Sequence, residues 1–224
     1  MGAAVLIKQF EAVLGGPLGW QSRPEPERAP TGVAAIDAAI GGLPRGGLTE
    51  IVGPASSGRT SLLFAVLAAA TAREEACVVI DAEDAFSPHA AAGAGVHLDR
   101  VLWVRCGHNA EQALKAADLL IQGGGFGLVA MDLGDTPVRS ARRISLTSWF
   151  RLRRAVENTP AVLLSVARQC NAGTCAGLVL ECARQGTVWS GSRRVSRLLR
   201  EFEVRAQATQ RRKQCSPVFT ARAI

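Results

Sequence analysis

Residues Gly53-Pro54-Ala55-Ser56-Ser57-Gly58-Arg59-Thr60-Ser61 have the types and spacing of a loop that wraps phosphate. Two glycines separated by four residues let the backbone turn round an anion, and the next helix aims its free N–H groups at it. The Thr60 hydroxyl would face a magnesium ion. The departure is Arg59, where the pattern asks for lysine. Arginine attracts phosphate, but its planar fork is bulkier than an ammonium. It either reaches the terminal phosphates in a displaced pose or fills their space. Nucleotide binding is therefore expected to survive more readily than turnover. A plain strand-to-helix turn without ligand is the competing reading.

Two carboxylates extend the candidate site. Asp132 closes the apolar run "LVAMD", where an acid would hold magnesium directly or through water. Glu83 follows "CVVIDA" and could orient an attacking water. Both fall at the carboxyl ends of expected strands, where α/β sheets bind ligands. The competing reading makes them solvent-facing strand terminators. Asp81 and Asp84, beside Glu83, receive no chemical role.

The elements that must position these groups are legible as alternating patterns. "TGVAAIDAAIGG" reads as a short helix over Val33 to Ile40 closed by Gly41 and Gly42. "GGLTEIVG", "ACVVIDAE", "RVLWVRC", "GLVAMDLGD" and "PAVLLSVAR" read as short buried strands. Between them fall the helix "GRTSLLFAVLAAATAREE", a helix capped by Asn109, and a helix over about Ser140 to Glu157. Strands alternating with helices predict an α/β fold with a mostly parallel central sheet flanked by helices. The last quarter, "GLVLECARQGTVW" and "LLREFEVRAQA", predicts an antiparallel extension. Residues 1–30 read as an N-terminal arm and linker with a short helix over Val5 to Leu14, either a loose tail or a tether that docks on a neighbouring subunit or partner with Trp20 as its anchor. Residues 31–224 read as one core domain.

Composition bounds the function classes. The chain has 224 residues, 48% of them hydrophobic, enough for one sizeable core. The longest apolar stretch, Leu62 to Ala70, is too short to span a bilayer. No export signal is read at the N-terminus, and the expectation is a cytoplasmic protein. Six cysteines are scattered without the spacing of a zinc site, so free thiols in a reducing compartment are expected. The formal charge of +7 favours an anionic partner, and it equally serves solubility. Six arginines, Arg139, Arg142, Arg143, Arg151, Arg153 and Arg154, crowd one segment without an acid. They are candidates for nonspecific, salt-dependent contact with DNA or for contact with a protein partner. An ordinary basic surface helix is the bland alternative.

"GGLPRGGLTEIVGPASSGRTSL", "VVIDAEDAFSP" and "NAEQAL" together resemble the ATPase core of the RecA family. The resemblance runs from about Thr31 to Asp132 and more weakly to the C-terminus. It implies a RecA-like P-loop NTPase core that binds ATP and Mg2+ at a subunit interface and forms homo-oligomers. It matches Gly53 to Thr60 to the Walker A segment, Glu83 to the glutamate that activates water, and Asp132 to the Walker B aspartate. "TQRRKQCSPVF" is similar to the stretch that reaches lysines into the neighbouring site, which puts Arg212 or Lys213 in that role. The departures are Arg59, Val166 in place of a phosphate-sensing glutamine, and short loops where the family contacts DNA. This trimmed pattern resembles the ImuA branch. It implies an accessory role in the DNA-damage response and translesion synthesis, beside a polymerase-like or recombinase partner, with weak or absent ATP hydrolysis. A structural adaptor without nucleotide and a DNA-dependent recombinase-type ATPase are the alternatives.

Overall fold

A computed structural model describes residues 26–191, 197–210 and 213–222. The Val5 to Leu14 helix, Trp20 and Arg212 lie outside the described residues.

The chain opens with strand β1 (Arg28–Ala29), helix α1 (Ala34–Ile40) and strand β2 (Leu43–Pro44), and β1 pairs antiparallel with β2. Gly41 ends α1 in the left-handed region, its N–H donating to the Asp37 carbonyl. The main sheet contains β3 (Gly47–Val52), β4 (Cys77–Asp81), β5 (Val101–Arg105), β6 (Leu128–Leu133) and β7 (Val162–Ala167). Its remaining strands are β8 (Leu178–Ser190), β9 (Leu198–Gln210), β10 (Lys213–Cys215) and β11 (Val218–Arg222). The order is β10-β9-β8-β3-β7-β6-β4-β5, with β11 also on β9. From β8 to β5 every pairing is parallel, and β9 pairs antiparallel with β8, β10 and β11. The expected mixed architecture is the one observed.

Helices cover both faces because the strands are apolar on both. Cys77 and Val79 join one cluster, while Val78 and Ile80, the alternate residues of β4, join the other. Helix α2 (Arg59–Ala72) lies on the first face, buried through Leu62, Leu63, Phe64, Val66 and Leu67. A short helix α3 (Pro88–Gly93) starts where the Ser87 hydroxyl accepts the Ala90 N–H. Helix α4 (Ala110–Gly123) lies on the second face and buries Ala113, Ala117 and Ile121, one per turn. Asn109 caps it as expected, its Oδ1 accepting from the N–H groups of Glu111 and Gln112.

The single helix expected over Ser140 to Glu157 is two. Helix α5 (Val138–Ala141) stops, and helix α6 (Leu146–Val156) restarts after Ser145. The Ser145 hydroxyl accepts the Ser148 N–H at 3.1 Å, so the serine acts as a new N-cap. The interruption also turns Ile144 inward, where it is 8% exposed.

Candidate functional site: a phosphate loop latched by arginine

Strand β3 delivers Gly53 beside the end of β7, where the Gly53 N–H donates to the Ala167 carbonyl. Two glycines then meet real steric limits. Gly53 has φ +153°, and a Cβ there would lie 2.3 Å from the Cys182 carbonyl oxygen. Gly58 has φ +95°, and its Cβ would lie 2.4 Å from Val204 Cγ2. Strands β8 and β9 therefore back the loop, and only glycine fits against them. Pro54, Ala55 and Ser56 are exposed at the rim, with Ser56 in the left-handed region. Ser57 is buried, and its Oγ has no hydrogen-bond partner among the described residues. Helix α2 begins without a side-chain cap, Thr60 is exposed and Ser61 is half-buried. An orphaned hydroxyl beside uncapped helix N–H groups in a glycine-walled turn fits an anion.

The terminal-phosphate side fits less well. Arg59 is 6% exposed, and its Nη1 donates to the Gly134 carbonyl at 3.2 Å. Arg168 Nε donates to the same oxygen at 3.2 Å, and its Nη2 lies 3.7 Å from Asp135 Oδ1. Asp132, beside them at the end of β6, spends its Oδ1 on the Gly134 N–H at 2.8 Å. Burial pushes the Asp132 carboxyl up to about 6, Asp81 on the neighbouring strand adds to the rise, and Arg59 opposes it. Burial likewise lowers the affinity of Arg59 for its proton, with Asp132 pulling the other way. The guanidinium thus ties the loop to the turn at Gly134 that Asp132 also holds.

Glu83 is held by contacts of its own. The Asp81 carboxylate accepts the N–H groups of Glu83, Ala85 and Phe86 and the indole N–H of Trp103. That winds residues 82–86 round Asp81. Glu83 Oε2 then lies 2.9 Å from His108 Nδ1. Asp84 pairs with Arg105. The structure therefore gathers Arg59, Asp132 and Gly134 and sets Glu83 against His108. Val166 is 1% exposed in the apolar core, between Ile51 and Asp132 in register. Its side chain offers no polar contact.

The basic segment separates into paired and unpaired members. Arg151 pairs with Asp118 at 2.6 Å, and Arg153 reaches Glu157 at 3.7 Å. Arg142 donates to Gln169 Oε1 at 3.2 Å. Arg139, Arg143 and Arg154 have no carboxylate partner among the described residues. Lys213 lies in β10 at the β9 margin. Sequence reasoning missed Arg168, His108 and Val204. A cation directly after buried β7, at the carboxyl edge of the sheet, was the available signal for Arg168.

A parallel α/β sheet with a glycine-walled loop between a central strand and a helix, facing an aspartate across one inserted strand, defines the P-loop NTPase fold class. Within it, this chain belongs to the RecA family: the RecA N-terminal domain matches residues 6–139. The chain is 34% identical over 184 residues to the RecA protein of Frankia casuarinae, covering 74% of this chain and 53% of the relative. It is 43% identical over 117 residues to the RecA of Cutibacterium acnes, covering 51% and 33%. With the RecA of Leifsonia xyli subsp. xyli it shares 43% identity over 165 residues, covering 66% and 46%. The aligned part spans from a third to about half the length of these relatives.

Proposed function

We propose that this chain is a RecA-like accessory protein of the DNA-damage response, of the ImuA kind, that serves translesion synthesis with weak or absent ATP hydrolysis. It works in the cytoplasm through a polymerase-like or recombinase partner. The observation that carries the reading is the buried Arg59 guanidinium on the Gly134 carbonyl beside Asp132. An ATPase needs that position for the terminal phosphate and its metal. If nucleotide enters, residues 53–61 wrap the phosphates, Thr60 and Asp132 hold Mg2+, and Glu83 faces water once it leaves His108. The metal would neutralise phosphate charge. Free thiols at all six cysteines suit a reducing compartment.

A second reading, a structural adaptor that takes no nucleotide, is favoured by the second guanidinium, Arg168, on the same carbonyl. Calorimetry with ATP and Mg2+, followed by turnover assays with single-stranded DNA, separates the readings. The expected result is weak binding, no appreciable turnover, and tighter binding by Arg59→Lys. No heat with either protein selects the adaptor. Strong DNA-stimulated turnover by the unmodified chain overturns both and makes it a recombinase-type ATPase.

A further inference from the structure

Helix α6 has a covered face and an uncovered one. Trp149, Leu152 and Val156 are buried in the cluster beneath the helix. On the other side Leu146 and Phe150, one turn apart, are 56% and 44% exposed. Arg154 stands a further turn along the same stripe, since residues four apart share a helix face. Leu146 also lines an open cleft of about 530 Å³, shared with Arg142 on one side and residues 169–171 on the other. Residues 136–156 contain six arginines and no acid. Arg151 and Arg153 are neutralised within the fold, and Arg139, Arg142, Arg143 and Arg154 are left without a carboxylate among the described residues.

We propose that this stripe and cleft dock an acidic amphipathic segment of a protein partner. Its apolar side would seat on Leu146 and Phe150, and its carboxylates on Arg142, Arg143 and Arg154. The charge left unbalanced selects an acidic occupant. The apolar pair in the middle selects a peptide over a nucleic acid. Protein interfaces set apolar anchors inside a polar rim and favour arginine there. Phosphate contacts need no apolar centre, and a single strand stacks on several aromatics where this surface offers one. Anchors at i and i+4 match an amphipathic helix laid along a groove. The inference takes from the proposed function only the existence of a protein partner. It does not depend on nucleotide.

Fluorescence anisotropy on the full chain tests it without ATP, so it can fail separately from the nucleotide experiment. The probe is a labelled peptide of leucine, glutamate and alanine with leucines at helical spacing. The controls are a scrambled peptide of the same composition and a single-stranded oligonucleotide. The expected result is binding of the ordered peptide, weakened about tenfold or more by Phe150→Ser and by Arg154→Glu. Circular dichroism checks that each variant is folded. If Phe150→Ser unfolds the chain, the exposed Arg154→Glu change decides alone. Equal binding of the scrambled peptide, or no peptide binding, overturns the proposal. Oligonucleotide binding that outcompetes the peptide and ignores Phe150→Ser would make the surface a nucleic-acid site and overturn it too.

Discussion

Arg59 and Gly134 meet across the carboxyl edge of the sheet, the guanidinium donating to the carbonyl at 3.2 Å. One opens helix α2 after the loop that follows β3, the other lies in the turn after β6, and β7 lies between those strands. The cation of the phosphate loop is therefore spent inside the protein, tying the two sides of the site together. Losing a buried charge-assisted bond costs about 1–3 kcal/mol. Arg59→Ala should fall at the lower end, because Arg168 remains on the same oxygen. The melting temperature should drop by about 2–4 °C per kcal/mol. An unchanged melting temperature would show that the latch contributes nothing.

Glu50 gives a pH dependence with a definite sign. It is fully buried in β3, and its Oε1 accepts the N–H groups of Asn171 and Ala172 at 2.9 and 3.1 Å. Burial raises its carboxyl above the ordinary value of 4.5, the two amides offsetting part of the rise. A raised acid adds stability that is complete below pH 4.5 and is lost as pH rises through the folded value. Glu50→Gln keeps the accepting oxygen and does not titrate. The variant should melt higher than the parent at pH 8, with the gap closing as pH falls toward 4.5. A gap that is constant with pH would refute the assignment.

Gly58 and Val204 should behave as a coupled pair. Gly58→Ala meets both a φ of +95° and the Val204 methyl groups. The expected loss is about 2–4 kcal/mol, from backbone strain and overpacking together. Adding Val204→Ala relieves only the second part. A double-mutant cycle by urea unfolding should give a coupling of about 0.5–3 kcal/mol. Strict additivity would mean that β9 does not back the loop.

Asn109→Ala removes the acceptor for two N–H groups at the start of α4. The loss should be about 1 kcal/mol, read by thermal or chemical unfolding. Asn109→Asp should keep most of the stability, since the carboxylate also accepts and favours the helix N-terminus.

The regular part of the fold was open to inspection in the sequence because strands and helices announce themselves by period. "CVVID" and "LVAMD" are apolar on both faces and so had to be sandwiched. The break at Arg142 to Ser145 was harder. Local side-chain bonding by Ser145 competes with helix continuation, and arginines on every side hide the apolar period. The site was legible as residue types and loops. Its wiring was not, because Arg59 to Gly134, Glu83 to His108 and Gly58 to Val204 are long-range contacts that no local pattern encodes.

The wall behind the phosphate turn has a consequence for biosynthesis. Cys182 and Val204 close round Gly53 and Gly58, and β8 pairs directly with β3. In a chain still emerging from the ribosome, that turn lacks its full wall until Val204 has left the exit tunnel. Until β8 emerges, the β3 edge that it covers stays unpaired.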